Sequence, residues 1–92
     1  MRFDWDPQKD DLLVKQRGFS FEKVSRLFQN PHLEGQKTDD PEQYYAIGFV
    51  NGKLLTLIFE YREDELGLYV WLITYWHSSK SERIFYAKNF KA

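Results

Sequence analysis

At 92 residues, with 42% hydrophobic, 18% aromatic and 29% charged side chains, the chain has the composition of one globular domain spanning 1–92. That size excludes a second domain, and the mixture excludes a disordered tail protein. The absence of cysteine removes disulfides, thiolate zinc sites and thiol nucleophiles, while a net charge of −1 removes any global basic field.

Asp6-Pro7 opens the first predicted helix, since the Asp side chain accepts from free first-turn N–H groups and Pro at the first position lacks a donor that would be orphaned. The helix runs to about Arg17. Gly18 suits the left-handed residue beyond its end, with Lys15 and Arg17 placed where cations favour a helix C-terminus. Ser20 caps a second helix, in which Phe21, Val24, Leu27 and Phe28 line one face and which stops at Asn30-Pro31. Residues 32–43 are polar, with Gly and Pro, and read as a mobile acidic loop.

From Tyr44 the residues turn aromatic and β-branched. Asn51-Gly52 between two such runs signals a two-residue hairpin, giving strands at about 44–50 and 53–61. In the second, Leu55, Leu57, Phe59 and Tyr61 share the face expected to meet the core. A polar turn at 62–67 leads to a nearly all-apolar third strand at 68–75, expected to be interior. Ser79-Lys80-Ser81-Glu82 matches a capping box and opens a last helix through about Phe90, with a tail from Lys88 to Ala92 expected to fray. The predicted fold class is α+β: two N-terminal helices, an antiparallel β-meander of about three strands, and a C-terminal helix.

Few residues offer chemistry. His32 and His77 lie far apart without ligand-like neighbours, so neither a metal nor a cofactor is expected. Asp39, Asp40 and Glu42 are explained as solvated charges, and Ser78, Ser79 and Ser81 as helix-start residues. The start carries no apolar run behind basic residues, and no run approaches the roughly 18 apolar residues of a membrane span; a cytoplasmic protein without membrane contact is expected. Charge is unevenly spread: residues 12–33 and 66–92 each carry four bases against one acid, while 34–65 carry three against eight. The richest junction is therefore the one between the third strand and the last helix, where Trp76, His77, Lys80 and Arg83 meet a helix N-terminus and the preceding hairpin end is expected to add Tyr61 and Arg62. Such a set suits an anion. Metal-free RNA cleavage would use a base for the 2′-OH proton, cations for the phosphorane and an acid for the leaving oxygen, and His titrates in the range that serves either proton role.

The order of motifs along the chain resembles the BrnT family of small bacterial type II toxins, RelE-like ribonucleases. Arg2-Phe3-Asp4-Trp5-Asp6-Pro7-Gln8-Lys9 is similar to the family's [KR]-F-x-W-D-x-x-K. Lys15-Gln16-Arg17-Gly18-Phe19-Ser20-Phe21-Glu22 is similar to K-H-G-[IV]-S-F-E, and Phe28-Gln29-Asn30-Pro31 to F-x-[DN]-P. The stretches Tyr44–Gly48 and Gly52–Arg62 match its strand segments, and Ile73–Tyr86 its final motif I-S-A-R-[KR]-A-[ST]-x-x-E-R-x-x-Y. The resemblance implies a RelE-like fold and an endoribonuclease toxin. Arg62, Glu82, Arg83 and Tyr86 match the family's motifs directly, which implies that Arg62 and Arg83 bind phosphate; joined to the junction residues, the candidate site is His77, Arg62, Arg83, Lys80 and Glu82 in catalysis and Tyr61, Trp76 and Tyr86 on the RNA. The resemblance also implies a small antitoxin of ribbon-helix-helix type and a homodimer within the complex. The motif's first Arg falls on Trp76 and its next basic position on His77, or, as in relatives that read Y-W-R here, His77 stands in place of the Arg; either departure leaves open a second expectation: a degenerate module that binds antitoxin or RNA without cutting.

Overall fold

The computed structural model describes residues 1–90. Its centre is a mixed five-stranded sheet in the order β1-β5-β4-β3-β2, with β1 (Arg2–Trp5), β2 (His32–Asp39), β3 (Glu42–Val50), β4 (Lys53–Asp64) and β5 (Gly67–His77). Helices α1 (Pro7–Arg17) and α2 (Phe21–Ser25), the latter continued by a 3₁₀ turn (Arg26–Gln29), lie between β1 and β2, and α3 (Lys80–Asn89) follows β5. This corrects the expected RelE-like layout of two N-terminal helices and a three-stranded antiparallel meander. The three foreseen strands are present as β3, β4 and β5, but two more flank them.

Both missed strands are edges, and that explains why their patterns were weak. β1 has four residues and pairs parallel with β5, Arg2 opposite Tyr69 and Trp5 opposite Leu72; four residues are too few for alternation to stand out. β2, expected to be a mobile loop, is the outer strand of a hairpin with β3, from His32 opposite Gly48 to Asp39 opposite Glu42. Its charges and glycine are those of a strand that must not recruit another. The second helix is also shorter than expected. Phe21, Val24 and Leu27 repeat every three residues, the period of a 3₁₀ helix, and the chain tightens into that form at Arg26.

One face of the sheet carries the main core. Leu13, Phe21, Val24 and Leu27 from the helical segment pack on Ala46, Val50, Leu55, Leu57, Phe59, Val70, Leu72 and Tyr75. Of the face foreseen for β4, Leu55, Leu57 and Phe59 are buried, whereas Tyr61 is 46% exposed because it lies beyond the helical cover. The opposite face is also occupied. Ile47, Thr56 and Ile58 are buried there, beneath α3, whose Phe85 and Tyr86 rings meet Tyr45 and Phe49. The last helix starts where its capping box placed it: the Ser79 side chain accepts from Glu82 N–H, and Glu82 returns to Ser79 N–H. Of the tail expected to fray, Lys88 and Asn89 are helical and Phe90 caps the helix, its N–H donating to Tyr86 O; Lys91 and Ala92 lie outside the described residues. No helix among the described residues is long and apolar enough to cross a membrane.

The α1–α2 connection is tied to β5 by a fully buried phenol. Tyr75 Oη donates to Phe19 O at 2.6 Å and accepts from Phe19 N–H at 2.9 Å. Tyr75→Phe would remove the partner of both Phe19 backbone groups. A loss of about 2 kcal/mol is expected in urea unfolding, against less than about 0.5 kcal/mol for the exposed Tyr61→Phe.

Candidate nucleic-acid interface

The register of β4 against β5 decides which candidate residues meet. His77 stands opposite Leu55 and Trp76 opposite Thr56, while Arg62 stands opposite Tyr69. Seven residues of strand therefore separate Arg62 from the level of His77, about 23 Å at the rise of an extended chain. The candidate set divides accordingly.

At the far end, the Arg62 guanidinium lies over the Trp71 ring at 4.2 Å and donates to Glu60 at 2.6 Å. Tyr61 stands beside Tyr44 and Phe59, and burial, helped by the Glu34 charge, pushes its phenol above the ordinary value. Neither residue reaches His77. Trp76 and Glu82 meet on the α3 side of the sheet, where the indole N–H donates to Glu82 at 2.9 and 3.2 Å with the Lys37 ammonium 5.9 Å above the ring. Burial pushes the Glu82 carboxyl up, but the Ser79 N–H, the Trp76 indole and the Ser79 and Thr56 hydroxyls outweigh it and hold it below its ordinary value. With these donors the carboxylate serves as the acceptor that fixes the start of α3.

His77, Arg83 and Tyr86 do come together. They line a groove of about 540 Å³ at the end of the sheet, with Phe49, Lys53 and Ser78. One wall is the β3–β4 hairpin, whose Asn51 and Gly52 take φ of 50° and 76°, the paired left-handed residues of a tight primed turn. The other wall is the start of α3. Ser78 N–H donates to Leu54 O at 3.0 Å and its hydroxyl shares a 2.8 Å bond with Thr56, which fixes the strand-to-helix junction. Arg83 donates one N–H to Ser78 O at 2.9 Å and retains further donors in its fork. Lys80 is exposed on the first turn of α3. Among the described residues, none of Lys53, Lys80 and Arg83 has a carboxylate within ion-pair distance.

The imidazole is oriented from the side. β1 pairs with β5 only as far as Leu72, and past that point Arg17 takes its place: its guanidinium donates to Tyr75 O and, at 3.4 Å, to Thr74 Oγ1. The Arg17 carbonyl lies 3.0 Å from His77 Nε2. A carbonyl only accepts, so Nε2 carries a proton and Nδ1 holds the free lone pair of the neutral ring. Sequence reasoning missed Lys53, Phe49 and Arg17. Counting back from the β4–β5 turn, where Asp64 faces Gly67, brings Lys53 close to His77 even without the shift at Ile58/Phe59. Arg17 stands out in the sequence only as a cation at the end of α1, with no sign of its contact to β5.

The Glu82 contacts make stability pH-dependent. Because its folded value lies below the ordinary 4.5, the contribution is complete above that pH and is lost as pH falls through the folded value. Urea midpoints of wild type and Glu82→Gln should therefore differ more at pH 7 than at pH 3; an equal gap at both would show that the carboxylate charge contributes nothing.

Comparison with curated proteins gives no match. A protein-family model does match, over residues 5–83: ribonuclease toxin, BrnT, of type II toxin-antitoxin system. That span includes β1's last residue, the whole sheet beyond it, and the groove residues through Arg83. The chain therefore belongs to the BrnT family of type II toxin-antitoxin ribonuclease toxins.

Proposed function

We propose that this toxin cuts RNA without a metal ion, by attack of a ribose 2′-OH on the adjacent phosphate, and so stops translation. His77 Nδ1 takes the 2′-OH proton as the O2′–P bond forms. The P–O5′ bond breaks, the departing oxygen takes a proton from solvent in the open groove, and a 2′,3′-cyclic phosphate remains. Arg83 and Lys80 supply the positive charge where the phosphorane becomes more negative. The observation that carries this reading is the His77–Arg17 hydrogen bond, which leaves Nδ1 as the proton acceptor of the neutral ring, on a residue that lines the same groove as Arg83.

The departure from the family motif at Trp76 does not weaken it. That side chain points to the α3 side, where the indole gives Glu82 a donor, and so stands away from the groove's cations. Arg62, pinned to Trp71 and Glu60, is left out of the mechanism. An antitoxin partner follows from the family; a ribbon-helix-helix antitoxin and a toxin dimer within the complex are the forms the sequence resemblance implies.

Purified protein should cleave single-stranded RNA in EDTA and leave cyclic phosphate ends, while a substrate with 2′-deoxyribose at the cut stays intact. His77→Ala should lower the rate by about 10²- to 10⁴-fold, and Arg83→Ala by about 10²-fold. Arg62→Ala should stay within about twofold of wild type, an estimate that rests on its distance from His77 along the strand. RNA left intact by the wild type in EDTA but cut on adding Mg²⁺ would overturn the metal-free mechanism.

A further inference from the structure

We infer that the groove holds its RNA as a single strand, with one base stacked on Phe49 and the neighbouring phosphate on Lys53, so that the tip of the β3–β4 hairpin forms half of the binding site. This rests on the proposed RNA substrate and specifies how it is gripped. Phe49 is a large apolar side chain left 47% exposed. Its ring meets Tyr86 edge to face, centroids 5.6 Å apart and planes at 86°, and Tyr86 stacks in turn on Phe90 at 5.0 Å and 12°. The aromatic set is braced from the helix side and open towards the groove. Phe49 and its register partner Leu54 belong to the α3 side of the sheet, whereas Lys53 lies two residues from Leu55, the partner of His77, and shares its side.

The groove thus crosses the end of the sheet, with aromatic surface on one side and His77 and Lys53 on the other, as a nucleotide requires when its base and phosphate bind separately. Stacking on protein aromatics needs a base that is out of a helix, and a duplex keeps its bases inside. Among the described residues Lys53 and Arg83 have no acidic partner, so the cations are available to phosphate.

The test is the anisotropy of a fluorescent, non-cleavable 2′-O-methyl oligonucleotide, single-stranded and as a blunt duplex of the same sequence. The single strand should bind at least about tenfold more tightly. Phe49→Leu, which keeps apolar volume against Tyr86 but has no π face, should lose about tenfold and Phe49→Trp should recover it. Lys53→Gln should weaken binding and flatten the salt dependence by about 0.7 in log–log slope. Unchanged thermal melts of the variants would establish that they fold. Equal binding of duplex and single strand, or wild-type binding by Phe49→Leu, would overturn the inference. Should the expected binding pattern appear while unmodified RNA stays intact, the cleavage reading fails and this one stands. Should RNA be cut in a His77-dependent way while Phe49→Leu binds and cuts like wild type, this one fails alone.

Discussion

The arrangement of the molecule depends on a single buried phenol. Tyr75 is fully buried in the core, where an unpaired hydroxyl would cost several kcal/mol of lost hydration, and it is satisfied by both backbone groups of one residue, Phe19. That reciprocal pair leaves the α1–α2 connection little freedom. Gly18, at φ 94°, returns its N–H to Val14 O and turns the chain so that Arg17 and Phe19 both present backbone to β5. Any side chain at that φ would be strained by about 1–2 kcal/mol. The Arg17 carbonyl that fixes the His77 ring is therefore held by the same clasp that closes the core, and the position of the imidazole follows from the packing of a residue two places before it.

The opposite face of the sheet works through polar contacts. α3 buries none of its own residues completely, so apolar area alone does not hold it. It is set by its first turn: the capping box of Ser79 and Glu82, the Trp76 indole on the same carboxylate, and the Ser78–Thr56 hydrogen bond at the junction. These contacts decide where Arg83 begins its reach to Ser78 O. Successive residues of β5 thus serve different purposes: Tyr75 anchors the main core, Trp76 anchors α3, and His77, back on the first side, is left at the groove. The period-2 alternation of a strand separates side chains that are adjacent in sequence.

That separation accounts for what could be read from the sequence. Features governed by a few neighbouring residues were legible: the Asp6 cap, the Asn51-Gly52 hairpin, and the Ser79–Glu82 box that placed α3 beside His77. Features governed by partners distant in the chain were not. β1 and β2 exist because β5 and β3 offer them backbone groups, and a short or polar edge strand carries no core pattern of its own. Arg62 and Tyr61 precede the turn into β5, and an antiparallel pair places residues next to a turn farthest from the strand's other end. Lys53, remote from His77 in sequence, is for the same reason near it in space. Membership of the family was legible from motifs because order and spacing survive where topology is hidden.

The same register gives the near-zero net charge a spatial order. At the β4–β5 turn, charges neutralise one another: Arg2 pairs with Asp64 at 2.6 Å, holding that carboxyl below its ordinary value mainly through this hydrogen bond, and Arg62 pairs with Glu60. Glu63 and Glu65 lie beside them. At the opposite end of the strands, Lys53, Lys80 and Arg83 have no such partners among the described residues. The long axis of β4 and β5 therefore runs from an acidic, self-compensated turn to an uncompensated cationic groove. On the proposed reading, RNA approaches by this cationic end, the one that holds His77. Screening confines each local effect to about 8–10 Å in physiological salt, less than the strand length, and so the acidic turn does not cancel the groove. A protein of net charge −1 can in this way present a phosphate-attracting surface without the general affinity for nucleic acid that a basic protein would carry.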